Sequence, residues 1–272
     1  MITPIIFFHK GNPDYLKLAL EQALCGEFRN DVVLLGDETN EQMARSMAVR
    51  FYNYSSYKQE AQNELVKYYK HMSTNPAPYE LICIARWFII NEFLEKENID
   101  RCFVTDSDVL IYDNMSQAAD DFEDYRCTLT RNTSAGISFI NDRSVLREYC
   151  DLVLNCYTGK DPLNFDKAKS HFDLLQRNGL PGGVCDMTFW GILRNAGNAG
   201  DFGETMSIVD ETTFDHNINM AYGYEHDGKI KKIQMIEGTP YCKHLRTGKL
   251  IRFKCLHFQG VGAKGLMKHY IT

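Results

Sequence analysis

The first forty residues constrain the fold more than any other part of the chain. "PIIFF" is a short apolar run of strand length, "DYLKLALEQAL" repeats its apolar residues at helical spacing, and "DVVLLGD" is a second apolar run. Asn12 has the chemistry of a helix N-cap and Pro13 that of a first helical residue. A strand, a helix and a strand in this order pair their strands in parallel. The chain is therefore expected to be α/β, built on a parallel sheet.

Later segments extend that alternation. A polar helix is expected around "QEAQNELVKYYKHM", an apolar helix over "YELICIARWFIINEFLEKE", and a strand at "RCFVT" that ends at Asp106. Strands follow at "CTLT" and "GISFI", and helices at "RSVLREYCDLVLNCY" and "FDKAKSHFDLLQRNG". The last third changes character, with short strands at "KIKKIQMI", "TPYCKHL" and "KLIRFKCLHF" joined at Gly238 and at "RTGK". The 272 residues hold no internal repeat and no long linker, so one domain is expected over 1–272.

Composition excludes more than it selects. A net charge of -6 gives no general attraction to nucleic acid or anionic lipid, so any bound phosphate needs a local site. The longest apolar run, "LICIARWFII", contains Arg86 and is too short to span a bilayer. The N-terminal stretch lacks a basic start and a small-residue cleavage site, so a cytoplasmic location is expected, with no integral membrane segment. The nine cysteines are scattered singly with no C-x-x-C pair, which fits reduced thiols, mostly in the core. "KIKK" at 229–232 reads as a solvated face, or else as a contact for an acidic glycan or lipid-linked molecule. Tyr222, Tyr224 and Trp190 supply either stacking surface or core.

The stretch "RCFVTDSDVLIYDN" sets Asp106 and Asp108 one residue apart where a strand ends. An acid-x-acid pair is expected about once by chance in a chain of this size. Its weight comes from its place, because ligands of a parallel sheet bind beyond the carboxyl ends of the strands. Carboxylates on either side of Ser107 repel unless a cation lies close by. Hard oxygen donors suit Mg²⁺ or Mn²⁺, which keep positions for water and diphosphate oxygens. The other use of such a segment is a turn with solvated aspartates.

Two further segments bear on that choice. Arg86, the one charge in its apolar run, must find an anion, either a protein carboxylate such as Asp106 or a phosphate or sugar ligand. In "LHFQGVGAKG", His257 follows an apolar strand, and Gly260, Gly262 and Lys264 make a loop able to approach phosphate. An imidazole there would complete an oxygen-rich site for a transition ion such as Mn²⁺. Read alone, the same segment is a structural histidine and a turn.

The order of "FFHKGNPDYLKLALEQAL", "VVLLGDE", "ARWFI", "FVTDSDVLIYDN", "SAGISFIN", "CDMTFWG" and "LHFQGVGAKG" resembles the GT-A fold glycosyltransferases, and within them the glycogenin and bacterial lipopolysaccharide galactosyltransferase group. The resemblance implies a Rossmann-like nucleotide-diphospho-sugar transferase fold, with a mixed, mostly parallel central sheet flanked by helices. Residues 1–140 would form the nucleotide-sugar half, and 141–272 the acceptor-side half with a C-terminal metal- and phosphate-binding segment. It also implies that Asp106, Asp108 and His257 bind Mn²⁺ (or Mg²⁺) on the donor diphosphate, and that Lys264, beside Gly260, holds a phosphate. Phe8, His9 and Asp37 would line the nucleoside pocket. Ser107 and Arg86 would touch the donor, Arg86 or else brace Asp106, and Ser134, Ala135 and Gly136 would lie over its sugar. Asp186 would stand near the reacting carbon. Met187 replaces the glutamine common in the group after that acid, and Gly265 and Leu266 replace the Pro-Trp that usually follows the lysine.

The implied chemistry moves a hexose from a nucleotide-diphosphate sugar, of which a UDP-sugar is the first expectation, to a glycan, a lipid-linked glycan or another hydroxyl. Asp186 would deprotonate the acceptor in an inverting enzyme. In a retaining enzyme, which the group favours, the leaving phosphate could take the proton and Asp186 would shape the sugar site. Asp186 also reads as a helix N-cap, since it follows "GLPGG" and precedes a helix. A nucleotidyltransferase would want a Gly-rich basic loop after the first strand, where "HKGNPDY" has one glycine and one lysine. A metal-dependent hydrolase would want more ligands near the aspartates. A binding protein that keeps this fold without turnover is the non-enzymatic alternative.

Overall fold

The structure, a computed structural model, describes residues 2–57 and 60–272. The expected opening unit is there: β1 (Ile5–Phe8), α1 (Asp14–Ala23) and β2 (Val32–Gly36), with β1 and β2 parallel and Ile5 opposite Val32. The helix start differs. Pro13 rather than Asn12 holds the cap position, at φ -78° and ψ 151°, because the fixed φ of proline serves an extended cap as well as a first turn.

Then follow α2 (Glu41–Ser46), β3 (Arg50–Asn53), α3 (Glu60–Tyr68), α4 (Ala77–Lys96), β4 (Cys102–Thr105), β5 (Val109–Ile111), α5 (Met115–Ala118), β6 (Cys127–Leu129) and β7 (Ile137–Ile140). Gln59, which opens the stretch expected to form the polar helix, lies outside the described residues. The second half holds α6 (Ser144–Thr158), α7 (Pro162–Arg177), α8 (Asp186–Ala196), β8 (Phe202–Glu204), β9 (Thr212–Phe214), β10 (His226–Asp227), β11 (Ile230–Lys231), β12 (Gln234–Ile236), β13 (Thr239–Lys243), β14 (Leu250–His257) and α9 (Val261–Lys264).

The larger sheet has the order β3-β2-β1-β4-β7-β6-β8; β3, β2, β1 and β4 run parallel, and β7 is antiparallel to both β4 and β6. Its central strands are apolar throughout because both faces are covered. Ile6, Phe8, Val33, Leu35 and Val104 pack with Trp87, Tyr149 and Trp190 of α4, α6 and α8. The alternate residues Ile5, Phe7, Val32, Leu34 and Phe103 pack with Leu16 and Leu20 of α1 and with Leu110 and Phe253 of the second sheet. This is the mixed, mostly parallel sheet flanked by helices that the resemblance implies.

The second sheet has the order β12-β13-β14-β5, with β9 parallel to β14. The chain leaves the first sheet at Thr105 and enters the second at Val109, so Asp106, Ser107 and Asp108 form the joint between them. Strand β14 runs antiparallel to β5 with His257 opposite Val109, and the Phe258 N–H donates to the Asp108 carbonyl at 2.9 Å. That register brings His257 to the joint across about 150 residues of sequence.

The "KIKK" cluster is only partly a solvated face. Lys229 and Lys232 are exposed, but Lys231 is 1% exposed. Its side chain turns inward from β11 because Asp215 receives it at 2.7 Å, and the side chains of both partners are wholly buried. Among the described residues, no helix is long and apolar enough to cross a membrane.

Candidate active site

Asp106 follows β4, and its N–H donates to the Gly136 carbonyl at 2.8 Å. A Cβ on Gly136 would lie 2.4 Å from Asp106 Oδ2, so the absence of a side chain at Gly136 is what lets this carboxylate pass. His257 Nε2 lies 3.2 Å from Asp108 Oδ1 and 3.9 Å from Asp106 Oδ2. Lys264 Nζ lies 3.3 Å from Asp108 Oδ2, and also over the Tyr15 ring.

Burial alone would raise the pKa of Asp108, but His257 and then Lys264 outweigh it and bring the group down to about 2. Burial pushes His257 the other way, and Asp108, with help from Asp106 and Asp215, raises it to about 9. One ligand atom from each of Asp106, Asp108 and His257 lies within 4.8 Å of the other two. Two carboxylates and an imidazole form a donor set that fits a divalent ion, and the ring nitrogen suits Mn²⁺ better than Mg²⁺.

Arg86, in the middle of α4, joins this group to a third acid. Its Nη1 contacts Asp106 Oδ1 at 2.6 Å and its Nη2 contacts Asp186 Oδ2 at 2.8 Å. Burial opposes its charge, yet the two carboxylates raise its pKa well above the ordinary value. Asp186 is the first residue of α8, after the cap residue Cys185. Its Oδ2 also accepts from Trp87 Nε1 at 3.1 Å, and its Oδ1 from the Met187 N–H at 2.9 Å. Beneath it, Trp190 meets Trp87 edge-on at 5.1 Å and stacks on Tyr149 at 4.6 Å. Trp190 is thus core, as is Tyr224, which is 5% exposed and packs against Phe253.

At the end of β1, His9 Nδ1 and Ser107 Oγ share a hydrogen bond of 2.7 Å. Burial, and then the Lys264 charge, lower the His9 pKa to about 4 and keep the ring neutral. The Asp37 carboxylate accepts from the N–H groups of Gly11 and Thr39, so it holds the loop after β1 and stands outside the cleft lining. Ser134 lines the cleft, whereas Gly136 and the buried Ala135 do not.

The cleft has a volume of about 1460 Å³. Its lining includes Phe8, His9, Asp106, Ser107, Asp108, His257, Gly260 and Lys264, and also Arg86 and Asp186. Pro76, Pro78, Tyr79, His171, Leu175 and Pro181, residues that carry no motif in the sequence, also line it. A pocket for one drug-sized ligand takes roughly 300–1,000 Å³, and this cleft is larger. A smaller cavity, about 320 Å³ and lined by Asp31, Arg50, Asp100 and Arg101, shares no residue with it.

No family model matches this sequence, and no curated protein sequence does. Solved structures match it well. A galactosyltransferase, LgtC, in complex with donor and acceptor sugar analogs superposes with a TM-score of 0.51 at 14% identity, over 99% of this chain and 96% of that one. Mouse xyloside xylosyltransferase 1 superposes with a TM-score of 0.51 at 10% identity, over 80% of this chain and 88% of that one. The fold is that of the GT-A glycosyltransferases. A bifunctional glycosyltransferase, WbbM, shares the GT-A fold with a TM-score of 0.50 at 9% identity, over 96% of this chain and 46% of that longer one. In this chain, the acid-x-acid segment of the GT-A resemblance is the joint between the two sheets.

Proposed function

We propose that this chain is a metal-dependent glycosyltransferase that moves a hexose from a nucleotide-diphosphate sugar, with a UDP-sugar as the favoured donor, to a hydroxyl of a glycan or lipid-linked glycan. One observation carries the reading. Asp106 and Asp108 from the joint and His257 from the end of β14 converge on one point, with Lys264 beside them, in the lining of a cleft larger than one drug-sized ligand takes. In this reading residues 1–140 and 141–272 are halves of one catalytic domain, and the second half supplies Asp186, His257 and Lys264.

Asp106, Asp108 and His257 hold the divalent ion, with Mn²⁺ favoured over Mg²⁺ by the imidazole. When bound, that ion neutralises charge on the leaving diphosphate. Lys264 adds a second positive group on the same side, and His9 and Ser107 border the nucleotide. Asp186 has both oxygens engaged by Arg86, Trp87 and its own helix, which leaves it poorly placed to take a proton from the acceptor. That favours the retaining course, with Asp186 and Arg86 shaping the sugar site and a leaving phosphate oxygen accepting the proton. A panel of nucleotide sugars, incubated with Mn²⁺, Mg²⁺ or chelator, tests the reading. Metal-dependent hydrolysis of one donor is expected, falling by on the order of 100-fold or more in Asp108→Ala. No donor binding, with the variant indistinguishable from the natural chain, would sink it.

A further inference from the structure

The buried pair Lys231–Asp215 lies behind the candidate metal site. Asp215 Oδ2 accepts from the backbone N–H of His257 at 3.1 Å, while Oδ1 receives Lys231 Nζ at 2.7 Å and the Asn217 N–H at 3.2 Å. Lys231 Nζ also donates to the Asn217 carbonyl at 2.6 Å. The Ile218 N–H donates to the His257 carbonyl at 2.9 Å, so residues 215–218 hold both backbone groups of His257.

The imidazole itself has no such support. Its Nδ1 is buried and has no hydrogen-bond partner among the described residues. A metal-binding histidine ordinarily has its orientation fixed by an acceptor on its second ring nitrogen. Apart from the Asp108 contact at Nε2, the orientation must come from the backbone and from packing. An apolar pair of the same volume would hold a core as well as a buried ion pair does, since such pairs give little net stability. What this pair adds is an immobile carboxylate facing the His257 N–H.

We propose that Asp215 is a positioning residue for His257: it fixes the strand end that aims the imidazole at Asp106 and Asp108, and Lys231 neutralises its buried carboxylate. This rests on the metal-site reading above. Two double variants separate positioning from simple core filling. Asp215→Asn/Lys231→Met removes both charges but leaves a carbonyl oxygen for the His257 N–H; Asp215→Leu/Lys231→Met leaves none.

Mn²⁺ binding to the full chain without donor, followed by electron paramagnetic resonance, is the first readout. Hydrogen exchange at the His257 amide without metal is the second. The leucine variant is expected to bind Mn²⁺ about 10- to 100-fold more weakly and to lose amide protection, with the asparagine variant close to the natural chain. If the leucine variant does not fold, Asp215→Ala/Lys231→Met takes its place. Equal Mn²⁺ affinity and equal protection in all the chains would overturn the proposal. So would equal losses in both variants, because the effect would then follow charge and not the acceptor. If the natural chain binds no Mn²⁺, the metal reading fails by itself, and amide exchange still decides whether the clasp holds His257.

Discussion

Two cations, one half-buried and one sealed, serve the same cluster from different layers of the fold, and they are built differently. Arg86 reaches it from the helix layer, is 16% exposed, and divides its fork between Asp106, which is 27% exposed, and Asp186. Lys231 reaches it from the second sheet and is sealed with Asp215 at 0% exposure. Arg86 therefore acts on side chains that line the cleft, where a ligand can compete for their charge. Lys231 acts on a backbone position that no ligand touches. A planar guanidinium suits the first task because it can hold two carboxylates at once; a single ammonium suffices for the second.

Removing the shared partner gives the largest expected effect. Arg86→Met leaves Asp106 and Asp186 without their shared cation; breaking a fully buried pair costs about 3–5 kcal/mol, and the partial exposure of Asp106 lowers that figure here. Urea denaturation measures that loss, and donor hydrolysis should fall with it. Arg86→Lys should recover part of the stability but little activity, since one ammonium cannot span both acids. Full activity in the lysine variant would remove the distinction between the two cations.

A smaller effect is expected where only geometry changes. Gly136→Ala sets a methyl group where Asp106 Oδ2 now lies, so the carboxylate must shift while the charges stay the same. A displacement on the 1 Å scale at a reacting site lowers the rate on the order of 10- to 100-fold. Metal-dependent hydrolysis should drop by that factor, with a lesser change in the unfolding midpoint. An unchanged rate would mean that Asp106 does not need its present position.

The parts of this arrangement that sequence reveals are those with one repeating signal. Strands β1, β2 and β4 are unbroken apolar runs, and α4 is apolar over most of its length, so all of them are legible without partners. Strand β3 is not, because its residues are half-exposed and mixed, and β5 and β9 are only three residues long. Asp106 and Asp108 are visible through their spacing at a strand end. Their meeting with His257 depends on the β5–β14 register, which no local pattern encodes. Asp215 in "FDHNINM" has no motif, and Lys231 looks like its neighbours in "KIKK" until the fold turns it inward. The fold is thus legible through burial, and the second cation is hidden because its partner lies sixteen residues away.

Two half-buried histidines near the cluster titrate alike. His9 shares a 2.7 Å hydrogen bond with Ser107, and His216 shares one of the same length with Thr130. Burial lowers both to about 4, helped by the charge of Lys264 at His9 and of His257 at His216. Between the ordinary value of 6.5 and about 4, the unfolded chain takes up protons that the folded chain refuses. Stability should therefore be unaffected by these groups above pH 6.5 and fall as pH drops from 6.5 towards 4. Urea midpoints between pH 6.5 and 5 read this above most carboxylate titration. The slope should flatten in His9→Gln/His216→Gln, and an unchanged slope there would exclude both rings as its source.

The smallest effect sharpens the comparison most, because it concerns adjacent residues. Lys232 also forms an ion pair, with Glu225 at 3.0 Å, but their side chains are 54% and 33% exposed. Water and salt screen that pair, and holding two long side chains together offsets most of what attraction remains. Lys232→Ala should leave the unfolding midpoint and Mn²⁺ binding unchanged, while Lys231→Met alone strands the buried Asp215 carboxylate and lowers the midpoint clearly. The two single variants share charge and sequence neighbourhood and differ in burial and in the carboxylate each meets. Equal midpoints would show that the Asp215 clasp carries no more weight than a surface contact; unequal midpoints would trace the difference to burial.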